Sequence, residues 1–395
     1  MLSKKILEYA NSLQSDLIEI RRHFHKHPEL SFKEYETTEH IIKILQSWNV
    51  KNYTKPLETG IIGELDGGIS NTKVVALRAD IDALPIIEEN EVSYKSNNEG
   101  VMHACGHDVH TTCLLGAIKI LEHFKKDWGG KVKYIFQPGE ERNPGGASLI
   151  LKSNALENPR PESIFGLHVH PDLEIGKVGY RKGKCMASAD EIHIKIKGKG
   201  GHAAAPHKTS DTILVAAQLI VQLQSIISRN NDPFNPSVLS ICSIQGGHTT
   251  NVIPNEVVLM GTFRAMDETW RRKAHQLIQN HCDSFAQSMN VKVELMIDIG
   301  YPMVYNEPQL TEKASQWLID LFGAERVIEN ERRMGGEDFG FYTQKMNGCF
   351  LRLGTRNEEK KLVSGVHTST FDIDEKALSI GSAMMAWMAI QHNQS

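Results

Sequence analysis

The sequence lacks the features that mark membrane, disulfide-rich and nucleic-acid-binding proteins. Its start, MLSKKILEYANS, has two lysines but no apolar segment behind them, and no stretch approaches the ~18 apolar residues of a membrane span. No run of like charge occurs, and the net charge is only -4 in 395 residues. We therefore expect a cytoplasmic protein that binds neither a membrane nor nucleic acid.

Paired cysteines, low-complexity tracts and internal repeats are also absent. The six cysteines are widely spread without a CxxC pair, so a disulfide framework is not expected. Apolar residues make up 40% of the chain and charged residues 23%, which is the composition of an ordinary globular protein. A chain of this length predicts two or three domains with a core large enough to shape a buried site.

Strand and helix patterns alternate in both terminal parts of the chain. Strands are predicted at 73–78, 131–136, 164–169 and 349–354, and helices at 3–26, 111–126, 308–322 and 374–391. In one of these strands, for example, Val132, Tyr134 and Phe136 occupy alternate positions. This order predicts an α/β/α domain with a mostly parallel sheet, built from 1–183 and 298–395.

The middle of the chain has a different order. Strands are predicted at 190–197, 237–245, 255–264 and 290–297, and helices at 211–229 and 268–289. The sequence β-α-β-β-α-β is typical of a ferredoxin-like α+β domain, here inserted at 184–297. Its four-stranded sheet would have an edge strand, and pairing of such edges across a two-fold axis predicts a homodimer or a higher homo-oligomer.

Four segments rich in metal-binding side chains lie at or just after predicted strand ends. They are HACGHD (103–108), QPGEE (137–141), GLHVH (166–170) and GVHTS (365–369). Ligands of open α/β sheets bind at the carboxyl ends of the strands. Together the segments offer a thiolate, three imidazoles and a carboxylate, which is more than one tetrahedral zinc takes. Two neighbouring divalent ions that share a ligand would use all five.

Each segment taken alone has an ordinary structural explanation. Cys105 and His107 could be a core cysteine beside a loop histidine, and His168 could be a core histidine with satisfied hydrogen bonds. The adjacent pair Glu140 and Glu141 could be an exposed acidic turn. In the functional interpretation, one glutamate binds metal and the other takes a proton from water, and the spacing does not decide which.

The ordered set of motifs resembles the aminoacylase/carboxypeptidase metallopeptidase family. It resembles in particular the branch of hippurate hydrolase, auxin-conjugate hydrolase and N-acetyldiaminopimelate deacetylase-like N-acyl-amino-acid amidohydrolases. Further matching motifs are RRHFHKHPELSF, RADIDALPI, GKGGHAAAPH, NVIP, GTFR and GGEDF, so that the resemblance spans about residues 20 to 380. It implies a metal-dependent hydrolase of the amide bond of N-acyl amino acids, with a catalytic α/β domain and a lid that dimerises.

The resemblance also implies roles for individual residues. Two divalent ions, manganese or zinc, would be held by Cys105, His107, Glu141, His168 and His367. Glu140 would be the general base. In the lid, His202 would reach the active site of a neighbouring subunit and stabilise the oxyanion, and Asn251 and Arg264 would hold the substrate carboxylate.

Some positions depart from the wider family or have less defined roles. Asp80 and Asp82 stand where the wider family has a metal-binding histidine and an aspartate, and we expect them to orient ligands. His103 and Glu337 are expected to border the site. Gly139 stands where alanine is usual, a change that removes no ligand.

Three other functions remain open at this level. Cys105 could be the nucleophile of a cysteine hydrolase, with His103, His107 or His110 as its base. The chain could be a binding protein on an old hydrolase scaffold, although Glu140 argues against a lost activity. A metallo-carboxypeptidase or dipeptidase would use the same scaffold as a deacylase. The acyl group and the amino acid cannot be read from the sequence.

Overall fold

The computed structural model describes all 395 residues. Contacts divide the chain into two compact units. Unit 1 contains Met1–Cys185, Tyr305–Glu331 and Phe341–Ser395, and unit 2 contains Met186–Val304 and Arg332–Gly340. The second unit is thus inserted in the first. The predicted domain bounds, 1–183 with 298–395 and 184–297, stay a prediction.

Helices and strands alternate along much of the chain. The helices are α1 Leu2–Ser12, α2 Gln14–Lys26, α3 Tyr35–Ser47, α4 His107–His123, α5 Gly146–Lys152, α6 Thr212–Ser225, α7 Glu268–Ser288, α8 Pro308–Phe322, α9 Gly340–Thr343 and α10 Ala377–Gln394. The strands are β1 Tyr53–Thr54, β2 Ile61–Asp66, β3 Ile69–Asp80, β4 Gly129–Gln137, β5 Ser163–Glu174, β6 Val178–Tyr180, β7 Gly183–Met186, β8 Asp190–Lys197, β9 Gly201–His202, β10 Ser237–Gln245, β11 Val252–Ile253, β12 Glu256–Ala265, β13 Lys292–Ile299, β14 Val304–Asn306, β15 Val327–Glu329 and β16 Asn347–Arg356.

Unit 1 is built on an eight-stranded sheet in the order β1-β2-β4-β3-β5-β16-β6-β15. The central strands β4, β3, β5 and β16 are parallel to one another. Their side chains are buried because helices such as α4 and α10 pack on the sheet, and nearly every residue of these two helices is buried as well. The predicted α/β class with a mostly parallel sheet is confirmed. The parallel arrangement brings the carboxyl ends of β3, β4 and β5 to one edge.

Unit 2 is built on a four-stranded antiparallel sheet in the order β10-β12-β8-β13. This is the strand order of a ferredoxin-like fold, as the sequence predicts. In β8, Ile192, Ile194 and Ile196 alternate with polar residues and are fully buried, because α6 and α7 cover that face. Strand β10 forms one edge of the sheet.

Helix α6 and the π-helical turn after it are more apolar than the sequence analysis indicates. The 19 residues Thr212–Asn230 have a mean hydropathy of 1.3, so they are long and apolar enough to cross a membrane by length and composition. Polar residues such as Gln218, Gln222 and Arg229 interrupt this stretch, so it is not a run of ~18 apolar residues. Val215, Leu219 and Leu223 pack into the core of unit 2, and such a helix is weak evidence for a span.

The packing of α2 on α3 includes a pair of histidines and generates a pH prediction. The rings of His23 and His40 stack with centroids 3.6 Å apart. Burial, followed by the charges of His23, Lys43 and His27, lowers the pKa of His40 to about 4. The unfolded chain therefore binds a proton at His40 more tightly than the folded protein does, and the free energy of unfolding decreases as the pH falls from about 6.5 towards 4.

We expect His40→Gln to weaken the fall in the urea midpoint between pH 7 and pH 5. The exposed His248, changed to glutamine, is the control; equal pH dependence in both variants would contradict the prediction.

Candidate functional site

The carboxyl ends of three parallel strands bring the predicted site residues of unit 1 together. Strand β3 ends at Asp80, β4 leads into the loop that carries Glu140 and Glu141, and β5 carries His168. The loop before α4 adds Cys105. Because these strands are neighbours in the sheet, segments far apart in the chain meet at one edge.

Cys105 lies at the centre of this cluster. Its Sγ atom is 3.4 Å from Nε2 of His168. Ligand atoms of Cys105, His107 and His168 lie within 4.8 Å of one another, and so do those of Cys105, Glu141 and His367. The thiol is thus common to two groups that each could hold a metal ion, and together the two groups contain all five predicted ligands.

The loop geometry explains how two of these residues reach the cluster. Gly106 immediately precedes α4 and has φ +85°. A Cβ atom there would lie 2.6 Å from a methyl group of Val169, so glycine is required. His367 also has a positive φ, 62°. Its amide donates to the carbonyl of Ala104 at 2.7 Å, which ties the C-terminal loop to the residue before Cys105.

Asp82 orients both His107 and Glu141. Its Oδ1 atom is 3.1 Å from Nδ1 of His107, and its Oδ2 atom accepts the amide hydrogen of Glu141 at 2.9 Å. Nε2 of His107 then points towards Glu141, with 3.8 Å between it and Oε1, and the same oxygen lies 3.2 Å from Nε2 of His367. A carboxylate behind a histidine in this way sets the tautomer that leaves Nε2 available to a metal.

The buried Nε2 atom of His107 has no hydrogen-bond partner. The largely buried Oε1 atom of Glu141 lies near two imidazole rings only, those of His107 and His367. Burial, together with the negative charges of Glu141 and Glu140, also raises the pKa of the Cys105 thiol well above its usual range. Unpaired buried donors and acceptors are costly, and a divalent cation would satisfy them and stabilise the thiolate. The donor set of sulfur, nitrogen and oxygen therefore fits such ions.

Glu140 is 6% exposed, and its carboxylate lies within 4.8 Å of ligand atoms of His107 and Glu141. The preceding Gly139 has φ +63°, and a Cβ atom there would lie 2.2 Å from the ring of Phe32. Its amide donates to Oε1 of Glu34 at 2.8 Å. Glycine in place of the usual alanine thus lets Phe32 pack directly against the loop that carries Glu140.

The other two residues of unit 1 expected near the site are buried. Asp80 accepts hydrogen bonds from Arg78 and His110, each at 2.6 Å. His103 is 1% exposed and neither of its ring nitrogens has a hydrogen-bond partner. Burial lowers the pKa of His103 to about 4, so the ring is neutral. The expected role of His103 at the border of the active site stays a prediction.

A buried ionic network beside the cluster was not predicted. Nε of Arg21 donates to Asp108 at 2.7 Å, and His25 lies between Asp108 at 2.8 Å and Glu88 at 3.1 Å. This network joins α2 to the start of α4, immediately after His107. The motif RRHFH places Arg21 and His25 four residues apart on one helix face, and this spacing is the sequence feature from which the network could have been predicted.

Unit 2 brings two of the three predicted substrate-binding residues together. Strand β9 pairs with β11, so that His202 lies opposite Val252 and next to Asn251. Nδ1 of His202 accepts the amide hydrogen of Ala204 at 3.1 Å, which leaves Nε2 as the donor of a neutral ring. Both His202 and Asn251 are exposed.

Arg264 lies on β12, partly buried, and its NH1 group donates to the carbonyls of Asp190 and Phe263 at 3.3 and 3.2 Å. Glu337 also belongs to unit 2. It is 1% exposed and accepts the amide hydrogen of Phe339 at 3.0 Å. The functional roles of both residues stay predictions.

Known proteins of similar sequence and similar structure support the predicted resemblance. The model of peptidase family M20/M25/M40 matches residues 76–391. N-acetylcysteine deacetylase of Bacillus subtilis (strain 168) is 38% identical over 379 residues, which cover 95% of this chain and 96% of the relative. Thermostable carboxypeptidase 2 of Saccharolobus solfataricus is 36% identical over 396 residues, which cover 99% and 98%.

Among solved structures, a Bacillus subtilis protein described as a dinuclear metal binding peptidase from the M20 family is similar, with a TM-score of 0.84 and 33% identity. The match covers 97% of this chain and 99% of that one. The predicted family and the predicted class of enzyme are confirmed. The chain belongs to peptidase family M20/M25/M40 and is a hydrolase of amide bonds.

Proposed function

We propose that this enzyme is a dinuclear metal-dependent amidohydrolase that removes the acyl group from N-acyl amino acids. The observation that carries the proposal is the position of Cys105 in two ligand groups, one with His107 and His168 and one with Glu141 and His367. A shared thiolate with two separate pairs of ligands suits two ions side by side. The relative described as a dinuclear metal binding peptidase supports this arrangement.

When bound, the two divalent ions would polarise the amide carbonyl and lower the pKa of the attacking water. Glu140 is the general base. It takes a proton from the water as the new carbon–oxygen bond forms, and then gives this proton to the amine as the carbon–nitrogen bond breaks. Its burial beside His107 and Glu141 keeps it close to the reacting atoms. Thiolate ligation favours zinc, and manganese is the alternative.

The family resemblance implies that three residues of unit 2 bind the rest of the substrate. His202 is exposed, and the Nε2 hydrogen of its ring would stabilise the oxyanion of the tetrahedral intermediate. Arg264 and Asn251 would bind the substrate carboxylate. In a homodimer, His202 would serve the site of the partner subunit. A dimer through the β10 edge of the unit 2 sheet is supported by exposed apolar residues on α6 and β10. They are Ile213, Leu214 and Val221 of α6 and Val238 and Ile244 of β10.

A deacylase and a carboxypeptidase both bind a substrate carboxylate, and the relatives include an N-acetylcysteine deacetylase and a carboxypeptidase. We favour deacylation because of the branch motifs HACGHD and QPGEE. A cysteine nucleophile is disfavoured, since burial, followed by the charges of Glu141 and Glu140, opposes formation of a free thiolate at Cys105.

The matched substitutions Glu140→Gln and Glu141→Gln separate the two roles. We expect Glu140→Gln to lower kcat by ~10²–10⁴-fold with unchanged metal content, because only the base is lost. Glu141→Gln should instead lower the metal content per chain, measured by elemental analysis. If Glu140→Gln loses metal and Glu141→Gln keeps it, the roles are reversed.

Chelation distinguishes the metal mechanism from a cysteine nucleophile. We expect about two ions per chain, loss of activity on an N-acyl amino acid panel after chelation, and recovery with Zn²⁺ or Mn²⁺. Dipeptides assayed in parallel decide between deacylase and dipeptidase activity. Activity that survives chelation but is lost on thiol alkylation of the metal-free protein would contradict the proposal.

Mixing two inactive variants tests the placement of His202 in the partner's site. In a mixed dimer of His202→Ala and Glu140→Gln subunits, the first subunit keeps Glu140 and receives His202 from the second. We expect activity to reappear on mixing under conditions that allow subunit exchange. If His202 acts in its own subunit, the mixture stays inactive.

A further inference from the structure

His110 is fully buried in the first turn of α4, and both of its ring nitrogens are engaged. Nδ1 lies 2.6 Å from Oδ1 of Asp80, and Nε2 accepts the amide hydrogen of Val169 at 2.9 Å. A backbone amide can only donate, so Nε2 carries no hydrogen. His110 is therefore the neutral tautomer that donates from Nδ1 to the Asp80 carboxylate.

The amide of Val169 depends on this ring. The ladder between β3 and β5 ends at the pair Arg78 and Gly166, three residues before Val169. Beyond this point β3 provides no carbonyl for β5, and on its other side Val169 pairs with Leu353 of β16. The imidazole of His110 thus replaces the missing strand as the acceptor, and a buried amide without it would be unsatisfied.

The carbonyl of the same residue orients a proposed metal ligand. Nδ1 of His168 donates to the carbonyl of Val169 at 2.8 Å, so Nε2 faces Cys105 at 3.4 Å. A chain of hydrogen bonds therefore runs from Asp80 through His110 and Val169 to His168. The other end is also anchored, since Arg78 donates to Oδ2 of Asp80 at 2.6 Å.

We propose that His110 is a positioning residue that holds the His168 end of the metal cluster through the amide of Val169. This inference rests on the proposed dinuclear site and assigns His110 no contact with a metal. His110 also lies near Asp80 and His107, close enough for a third ion. A metal bound at His110 would break its bond to Asp80 or to Val169, so the observed geometry favours the positioning role.

Two substitutions of His110 separate its two hydrogen bonds. In His110→Asn, the amide nitrogen lies near the position of Nδ1 and can donate to Asp80, but no atom reaches Val169. In His110→Gln, the carbonyl oxygen extends to about the position of Nε2 and can accept from Val169. Ligand-orienting partners typically contribute 10–100-fold to metal affinity. We therefore expect His110→Asn to weaken one of the two ions by about 10–100-fold, and His110→Gln to stay nearer the wild type.

The measurement is a titration of metal-free protein with Co²⁺ alone, followed by visible absorption in the presence of a competing chelator. Thermal unfolding of the metal-free variants, recorded separately, reports any general loss of stability. His392→Asn, at another buried histidine of unit 1, is the control for that loss. A structural role alone would lower the melting temperature of His110→Asn and leave the Co²⁺ affinity unchanged, and this result would overturn the inference.

His168→Ala separates this failure from failure of the proposed function. If His168→Ala loses an ion and His110→Asn does not, only the inference about His110 is wrong. If wild type binds no Co²⁺, or His168→Ala binds it as wild type does, the proposed site fails and the inference fails with it.

Nuclear magnetic resonance of the metal-free wild type tests the hydrogen bond even if the variants do not fold. We expect a scalar coupling between the Val169 amide nitrogen and Nε2 of His110, and a hydrogen on Nδ1. A ring protonated at Nε2 would overturn the inference.

Discussion

The rest of the site depends on the hydrogen bonds that the buried carboxylate of Asp82 accepts. It accepts hydrogen bonds from three segments: the hydroxyl of Ser31 at 2.7 Å, the amide of Glu141 at 2.9 Å, and His107, whose Nδ1 lies 3.1 Å away. Burial opposes its charge, but these hydrogen bonds and His107 lower the pKa of Asp82. One ionised side chain at a strand end therefore sets the relative positions of a helix start and the glutamate loop.

Negative charge is concentrated around this point. Asp80, Asp82, Glu140 and Glu141 lie close together, and inside the cluster Arg78 and His107 are the cationic partners. Burial opposes protonation of His107, but the charges of Asp80, Asp82 and Glu141 outweigh it and raise the pKa of His107 to about 10. Either a proton on His107 or a bound divalent cation can therefore balance the negative charge of the carboxylates. The two compete for the same atom, Nε2 of His107.

Elements with a strict apolar period were predictable, and elements without one were not. Strand β8 and helix α8 have the predicted bounds because their buried faces repeat every two residues and every 3.6 residues, respectively. The predicted helix at 3–26 is interrupted at Leu13, where no glycine or proline marks the break. Helix α3 was not predicted, although its apolar residues Ile41, Ile42 and Leu45 are buried. Ligands at strand ends follow from topology, but a histidine such as His110 that serves a backbone amide has no signature in sequence spacing.

The five proposed ligands differ in their access to water. The side chain of His107 is completely buried and that of Glu141 is 13% exposed, whereas that of His367 is 52% exposed and stands on a loop with a left-handed backbone. The inner part of the cluster is held by the sheet, by α4 and by their hydrogen bonds before any ion arrives. The cluster is therefore closed on the side of the sheet and open to water on the side of His367, and it is from this side that we expect a divalent ion to reach the other ligands.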